Sequence, residues 1–331
     1  MSNITRRGIV GATLAAPALL AAREGAAQGA WPTRPVTIVV NSDVGGSMDR
    51  TMRGLAQFMP KHLGQPMAVV NRPGAGSALG ALYVLNQPDD GHTLLGAPMA
   101  PYLSTAIVVG RANFKLEDFA YMNSHWTDWD LIAVHKDKPY QDLPSLLNAI
   151  RENPKRVRAS VVQGSSGHIT ALMMLDRAGI PKENLNLVTY AGGGASRTAI
   201  AGGQVDFIVI GGEGSESIRD FVRPIAVVRE EPAASWQAPV LNEALKPMNL
   251  TLPIVNGTMR GLVTRASFRQ KHPDRWEKLA AAYKATLEDA EFRTFARNNK
   301  MDHEWIGPDR TTRSVMQTHE IIKEYADVMR G

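Results

Sequence analysis

"NSDVGGSMDRTMRGLAQFMPKHLGQPMAVVNRPGAGSALG", residues 41–80, follows directly on the apolar run "PVTIVV" at 35–40. The run is continuous, β-branched and entered through a proline, the composition of a strand buried on both faces of a parallel sheet. Behind it, Gly45 and Gly46 allow the backbone to turn tightly, and Ser47 and Asp49 can cap a helix. Asp49 to Leu63 then carries Met52, Leu55, Ala56 and Met59 at three- and four-residue spacing, one apolar face of a helix. "PMAVVN" predicts a second strand, "SALGALYVLNQ" a second helix and "HTLLGAP" a third strand. That order requires parallel strands joined by right-handed crossovers.

After "FKLEDFAYMNSHW" the pattern restarts. "DLIAVHKD", "VRASVVQG", "LNLVTYAG", "QVDFIVIG" and "VRPIAVV" read as strands, interleaved with helices at "PYQDLPSLLNAIRENP", "HITALMMLDRAG" and "GASRTAIAGG". "GTMRGLVTRA" reads as one more strand. Two long helical stretches close the chain, the first with a break. The helical tail has no sheet of its own and must pack on an existing one. The expected layout is α/β: a first lobe of residues 31–130 that the chain revisits at 256–331, and a second lobe of 131–255 inserted between. Two crossings make a hinge, and two lobes make a cleft. The cluster "HWTDWD" (125–130) falls at the first crossing.

The 331 residues fit two domains, with 44% hydrophobic and 21% charged residues, the balance of a globular protein. A net charge of +5 spread along the chain gives no nucleic-acid surface. The absence of cysteine excludes disulfides, thiolate metal sites and a cysteine nucleophile. The first thirty residues, "MSNITRRGIVGATLAAPALLAAREGAAQGA", run from Arg6 and Arg7 into an acid-free apolar stretch and then small residues. This is the pattern of an export signal, with a twin-arginine look, and it predicts a periplasmic protein.

Three turns have the composition for binding an anion at the carboxyl ends of parallel strands. They are "NSDVGGSMD" (41–49), "QGSSGHIT" (163–170) and "YAGGGASRT" (190–198). Each opens a helix, whose uncovered N–H groups and dipole favour negative charge. Enzymatic signatures are missing. "GSSGH" does not fit a nucleophile elbow, and the eight histidines form no metal-binding pair. No phosphate loop or dinucleotide fingerprint is present, so neither cofactor nor metal is expected.

The ordered motifs resemble the substrate-binding proteins of tripartite tricarboxylate transporters, the Bug (Bordetella uptake gene), TctC-like family. The resemblance is carried by Gly45-Gly46-Ser47-Met48-Asp49, "LGQP" (63–66), "NRPGAG" (71–76), "PDDGHTLL" (88–95), "GSSGHITALMM" (164–174) and "VTYAGGGASRTAIAGGQVDFIV" (188–209). It implies a type II periplasmic-binding-protein fold, two lobes each with a mainly parallel sheet flanked by helices, hinged around a central cleft. It further implies capture of a small carboxylate, whether dicarboxylate, tricarboxylate or aromatic acid, and delivery to integral-membrane transporter subunits by a monomer that performs no chemistry. By position, ligand contacts fall to Ser42, Val44, Gly45, Gly46, Ser47 and Asp49 in the first lobe. In the second they fall to Gly164, Ser165, Ser166, His168, Tyr190 and Gly192. A sensor feeding a membrane kinase is the alternative within this fold, and an enzyme using His168 and a serine is a more distant one. A regulatory effector domain is disfavoured, because an export signal stands where a DNA-binding helix-turn-helix would precede the first lobe.

Three departures stand out. Asn41-Ser42-Asp43 opens the first turn where relatives carry an aromatic, Gly211-Gly212-Glu213-Gly214 follows "VDFIVI", and "NGTMRGLV" replaces a tryptophan-rich run. These predict a specificity unlike that of the commonest members.

Overall fold

The computed structural model describes residues 31–190 and 192–330; the expected export signal lies outside them. Val36–Val40 (β1) runs parallel to Met67–Asn71 (β2) on one side and to Thr93–Ala100 (β3) on the other. Between them lie helices α1 (Ser47–Phe58), α2 (Pro60–Leu63) and α3 (Ala78–Leu85), with α4 (Tyr102–Val108) after β3. The helix expected over Asp49 to Leu63 is divided at Pro60, whose ring cannot sit in a continuous helix interior.

The first sheet is completed by two strands from distant parts of the chain. Phe119–Thr127 (β4) and Met259–Arg265 (β10) give the order β2-β1-β3-β10-β4, with β10 antiparallel to both neighbours. The second sheet has the same plan, β7-β6-β8-β5-β9. Its strands are β5 (Asp130–His135), β6 (Arg158–Val162), β7 (Asn186–Tyr190), β8 (Phe207–Gly211) and β9 (Val222–Val228), with β5 the antiparallel member. Helices α5 (Leu143–Glu152), α6 (Ser166–Arg177), α7 (Gly193–Ala201) and α8 (Leu241–Leu245) flank it.

Alternation along the strands divides each core in two. In the first sheet Ile38, Val40, Leu94 and Leu262 face Met52, Leu55 and Tyr283. Val39, Leu95 and Val263 turn the other way, onto Ala81, Leu103 and Val315. In the second, Ile132, Val161 and Val209 pack under Leu146 and Ile169, while Leu131, Ile208 and Ile210 meet Ile200 and Trp236.

The tail forms α9 (Ala266–Lys271), α10 (Pro273–Glu288), α11 (Ala290–Asn298), α12 (Gly307–Glu324) and α13 (Ala326–Arg330). Helices α10 and α11 lie on the first sheet, and α12 runs beside β4. The end of the tail then leaves that sheet. Ile322, Tyr325 and Ala326 join the core of the second, Arg177 Nε donates to Tyr325 Oη at 2.8 Å, and α13 packs on α6.

β4 is the strand that sequence patterning passed over. Its centre, Asn123-Ser124-His125, is polar yet fully buried. Asn123 Oδ1 accepts the N–H groups of Ile306 (2.8 Å) and Gly307 (2.9 Å), and its Nδ2 donates to Glu304 O at 2.9 Å. Ser124 N–H donates to Thr311 Oγ1 at 3.0 Å, and His125 Nδ1 meets the Tyr283 hydroxyl. The strand is buried because the tail satisfies it.

Candidate functional site

The first turn leaves β1 at Val40. Gly45 adopts φ +78°, a left-handed conformation that favours glycine. Its N–H donates to Asp49 Oδ2 at 2.8 Å, and Gly46 N–H donates to Asp43 O at 3.3 Å. The Asp49 carboxylate also accepts Arg53 Nε at 3.0 Å and Asn71 Nδ2 at 2.9 Å, and Asn71 Nδ2 reaches Ser42 O at 3.0 Å. Burial alone would raise the Asp49 pKa; the hydrogen bonds from Arg53, Gly45 and Asn71 outweigh it and hold the group below the ordinary carboxylate value.

The Asp49 carboxylate and the N–H groups of Gly45 and Gly46 therefore hold the turn itself together and are engaged within it. The donors left at the start of α1 are the N–H groups of Ser47, Met48 and Asp49, which make no hydrogen bond among the described residues. Val44 stands out of the turn, 73% exposed, and Asp43 is exposed as well.

The second turn leaves β6. Gly164, at φ +73°, donates its N–H to His168 Nδ1 at 3.1 Å, and Ser165 Oγ caps α6 by accepting His168 N–H at 3.2 Å. His168 Nδ1 accepts the Gly164 N–H, which leaves the ring proton to Nε2, and burial lowers the ring's pKa. A Cβ on Gly167 would lie 2.3 Å from Val209 O, so the glycine lets α6 settle directly on β8. Ser166 is buried and its hydroxyl lies against the Asp130 carboxyl. The contact lowers the Asp130 pKa without a well-formed hydrogen bond, and Ser166 Oγ and Asp130 Oδ2 both stay unpartnered.

The third turn leaves β7 at Tyr190, whose carbonyl accepts Gln163 N–H at 3.0 Å and so ties the second and third turns together. Gly192 precedes α7 in extended backbone, with open space where a Cβ would stand. From the other sheet, Thr105 of α4 touches the second turn, its Oγ1 lying 3.3 Å from Gly164 O.

A second group of residues lies where the chain passes between the sheets. Asp128 N–H donates to Thr258 O at 3.1 Å, joining the two crossings. Arg260 stacks over the Trp126 ring at 4.2 Å, with Nη2 3.6 Å from Asp128 Oδ2. Trp126 Nε1 donates to Glu213 Oε2 at 2.8 Å, a bond from one sheet's side to the other's. Arg197 reaches Ser215 Oγ (2.9 Å) and the carbonyls of Gly211 (3.1 Å) and Glu213 (3.3 Å).

Burial, reinforced by Asp128, pushes Asp130 up to about 7. Burial, with Asp302 and Asp128 nearby, pushes Glu213 up to about 7. Asp128 and Asp302 are raised too, chiefly by burial. Sequence reasoning marked the neighbourhood of Trp126, Asp128 and Glu213 but assigned none of these residues a contact. Their signals were the cluster at 125–130, at the first crossing, and the departure of two segments, 211–214 and 256–263, from the family pattern; Asp302 carried none.

The family model for the tripartite tricarboxylate transporter family receptor matches residues 51–324. The chain belongs to this family. A protein encoded in the tcbD-tcbE intergenic region of Pseudomonas sp. (strain P51) is 30% identical over 216 residues, 63% of this chain and 61% of that protein. BugT of Bordetella pertussis is 31% identical over 181 residues, 53% of this chain and 54% of BugT. The matched region thus spans less than two thirds of these curated relatives.

Among solved structures, a TctC solute-binding protein from Polaromonas aligns with TM-score 0.68 at 24% identity, covering 89% of this chain and 99% of that one. MatC from Rhodopseudomonas palustris, with bound malate, aligns with TM-score 0.70 at 22% identity, covering 90% and 100%. The type II periplasmic-binding fold of this family's receptors is the fold of this chain.

Proposed function

We propose that the protein is an extracytoplasmic receptor that closes two lobes on a small organic carboxylate and delivers it to a tripartite membrane transporter. The observation that carries the reading is a pair of helix N-termini with unengaged donors, Ser47, Met48 and Asp49 on α1 and Ser166 and Gly167 on α6, each at the carboxyl end of a parallel strand. Such groups bind anions through backbone dipoles. The lobes of this reading are residues 31–130 with 256 onward, and 131–255, the tail lying across both.

Two solved relatives of the fold support the ligand class, MatC with malate and a Rhodopseudomonas palustris protein with adipate. Among the described residues no helix is long and apolar enough to cross a membrane, which fits a receptor that meets its transporter from outside. Turnover is not part of the reading, since His168 Nδ1 and Ser165 Oγ are both engaged in holding the second turn.

The test is a thermal-shift screen of the purified protein against small carboxylates and uncharged controls. A ligand at a hundred times its Kd adds about 2.7 kcal/mol of stability when it binds only the folded state. The shift is expected with an acid and should be lost in Gly46→Trp, whose side chain fills the mouth of the first turn. Stabilisation by uncharged controls alone would sink the carboxylate reading.

A further inference from the structure

The start of α6 holds two buried polar groups with nothing to bind. Ser166 Oγ, on a residue 1% exposed, and Asp130 Oδ2, on a residue 3% exposed, both lack a partner among the described residues. The strand register sets them against each other. Ile132 of β5 lies in the core under α6, and Asp130, two residues earlier, points to the same side. Because β5 is antiparallel to β8 and Asp130 pairs with Gly211, its carboxyl stands at the carboxyl end of β8. The unengaged N–H groups of Ser166 and Gly167 begin α6 at that same end. We propose, resting on the receptor reading above, that Asp130 is a ligand-binding residue that works as a neutral carboxylic acid. Its O–H donates to the carboxylate seated on the α6 N-terminus, and a proton is taken up from solvent with each ligand.

No cation keeps Asp130 ionised, since it enters no ion pair among the described residues. Arg260 of β10 is held by Asp128 Oδ2 at 3.6 Å and by the Trp126 ring. Arg229, just past β9, lies over the Trp129 ring. On α6, His168 turns its Nδ1 to the Gly164 N–H, and past β8 Glu213 is bound to Trp126. Tyr102 of α4 is a neutral phenol, its pKa pushed up to about 12 by burial. Asp128, from the crossing, adds negative charge beside Asp130.

A carboxylate arriving on the α6 N–H groups would be repelled by an ionised Asp130. A neutral Asp130 instead supplies a short, charge-assisted O–H donor, and the Ser166 hydroxyl is a second donor at the same place. Burial, with Asp128 adding to it, raises Asp130 to about 7, so the acid form is within reach before any ligand is present. The sign follows. The bound form keeps the proton, the free form gives it up above about pH 7, and affinity therefore falls as pH rises past that value.

The experiment is isothermal titration with malate, adipate and benzoate, acids that stay ionised from pH 6.5 to 8.5. It is run in a Glu213→Gln background, which removes the other carboxyl expected to titrate in this range. Affinity is expected to fall about tenfold or more between those pH values, with about one proton taken up per ligand at pH 8. The proton count is read from how the binding enthalpy follows the ionisation enthalpy of the buffer. Asp130→Asn, whose amide still donates, should abolish both the slope and the proton count, which a merely structural role would not do. A second reading leaves Asp130 in place: the infrared difference spectrum on binding should gain a protonated-carboxyl band that moves when aspartate is isotope-labelled. Binding without proton uptake, a proton count indifferent to Asp130→Asn, or the absence of that band would overturn this inference and leave the carboxylate receptor standing. Binding of none of the acids in the thermal-shift panel would overturn both.

Discussion

Asp49 sits at the head of α1 and holds together a turn made of residues from three places in the chain. Its carboxylate gathers Gly45 N–H, Arg53 and Asn71, so replacing it with asparagine removes charge-assisted hydrogen bonds in a buried position. Asp49→Asn is expected to lose about 1–3 kcal/mol at neutral pH, read from urea unfolding. Its folded pKa is held below the unfolded value of 3.8, so its stabilisation is complete above that value and lost as pH falls through the folded pKa. The gap between wild type and variant should therefore narrow at pH 3. The glycines of this turn were legible from sequence, because a left-handed turn is local; the cap was not, since it was expected of Ser47 and Asp49 on α1 and is found at Ser165 on α6. What else anchors the Asp49 carboxylate was not legible either, because Asn71, which donates to it, lies 22 residues away.

At the scale of elements, β4 and α6 depend on different physics. β4 carries a polar centre that only the tail satisfies, so its burial depends on residues almost two hundred positions away. Asn123→Leu would strand two N–H groups and one carbonyl at the start of α12. It is expected to cost about 2–4 kcal/mol and to speed amide exchange at Ile306 and Gly307. α6 is instead set by the absence of a side chain. Gly167→Ala would drive a Cβ into the carbonyl of Val209, displacing the helix N-terminus by several tenths of an ångström at about 1–3 kcal/mol. Carboxylate affinity should fall with it, measured on the same sample by titration. Parallel strands and amphipathic helices announced themselves by period. An antiparallel strand with a polar middle carried no such signature, and β4 read as a boundary.

Across the whole molecule, Glu213 lies with Trp126, Asp302, Asp128 and Arg260, groups from both lobes of the receptor reading. Burial and the two neighbouring carboxyls raise its pKa to about 7, and on the receptor reading a separation of the lobes would relieve all three. The closed form thus keeps its proton as pH rises from 4.5 toward 7, while the open form gives it up. The closed population of the unliganded protein should fall over that interval, seen as a rise in radius of gyration by X-ray scattering between pH 5 and pH 7.5. Glu213→Gln should flatten the response. The two-lobed plan was legible from the order of strands and the ordered motifs. The buried charged cluster was not, since Asp128, Glu213, Arg260 and Asp302 lie far apart in sequence and meet only in the folded chain.

The end of the tail gives the molecule a third tether. Besides the two strand crossings, α12 leaves β4 and its last turn enters the core of the second sheet, where Tyr325 receives Arg177 and Arg330 clasps Val108 O at 2.6 Å. A body joined at two points can both swing and twist. Joined at three, it keeps one soft rotation and resists the others. On the receptor reading, the lobes are therefore expected to move along one track, so that a ligand would meet the same geometry at every capture.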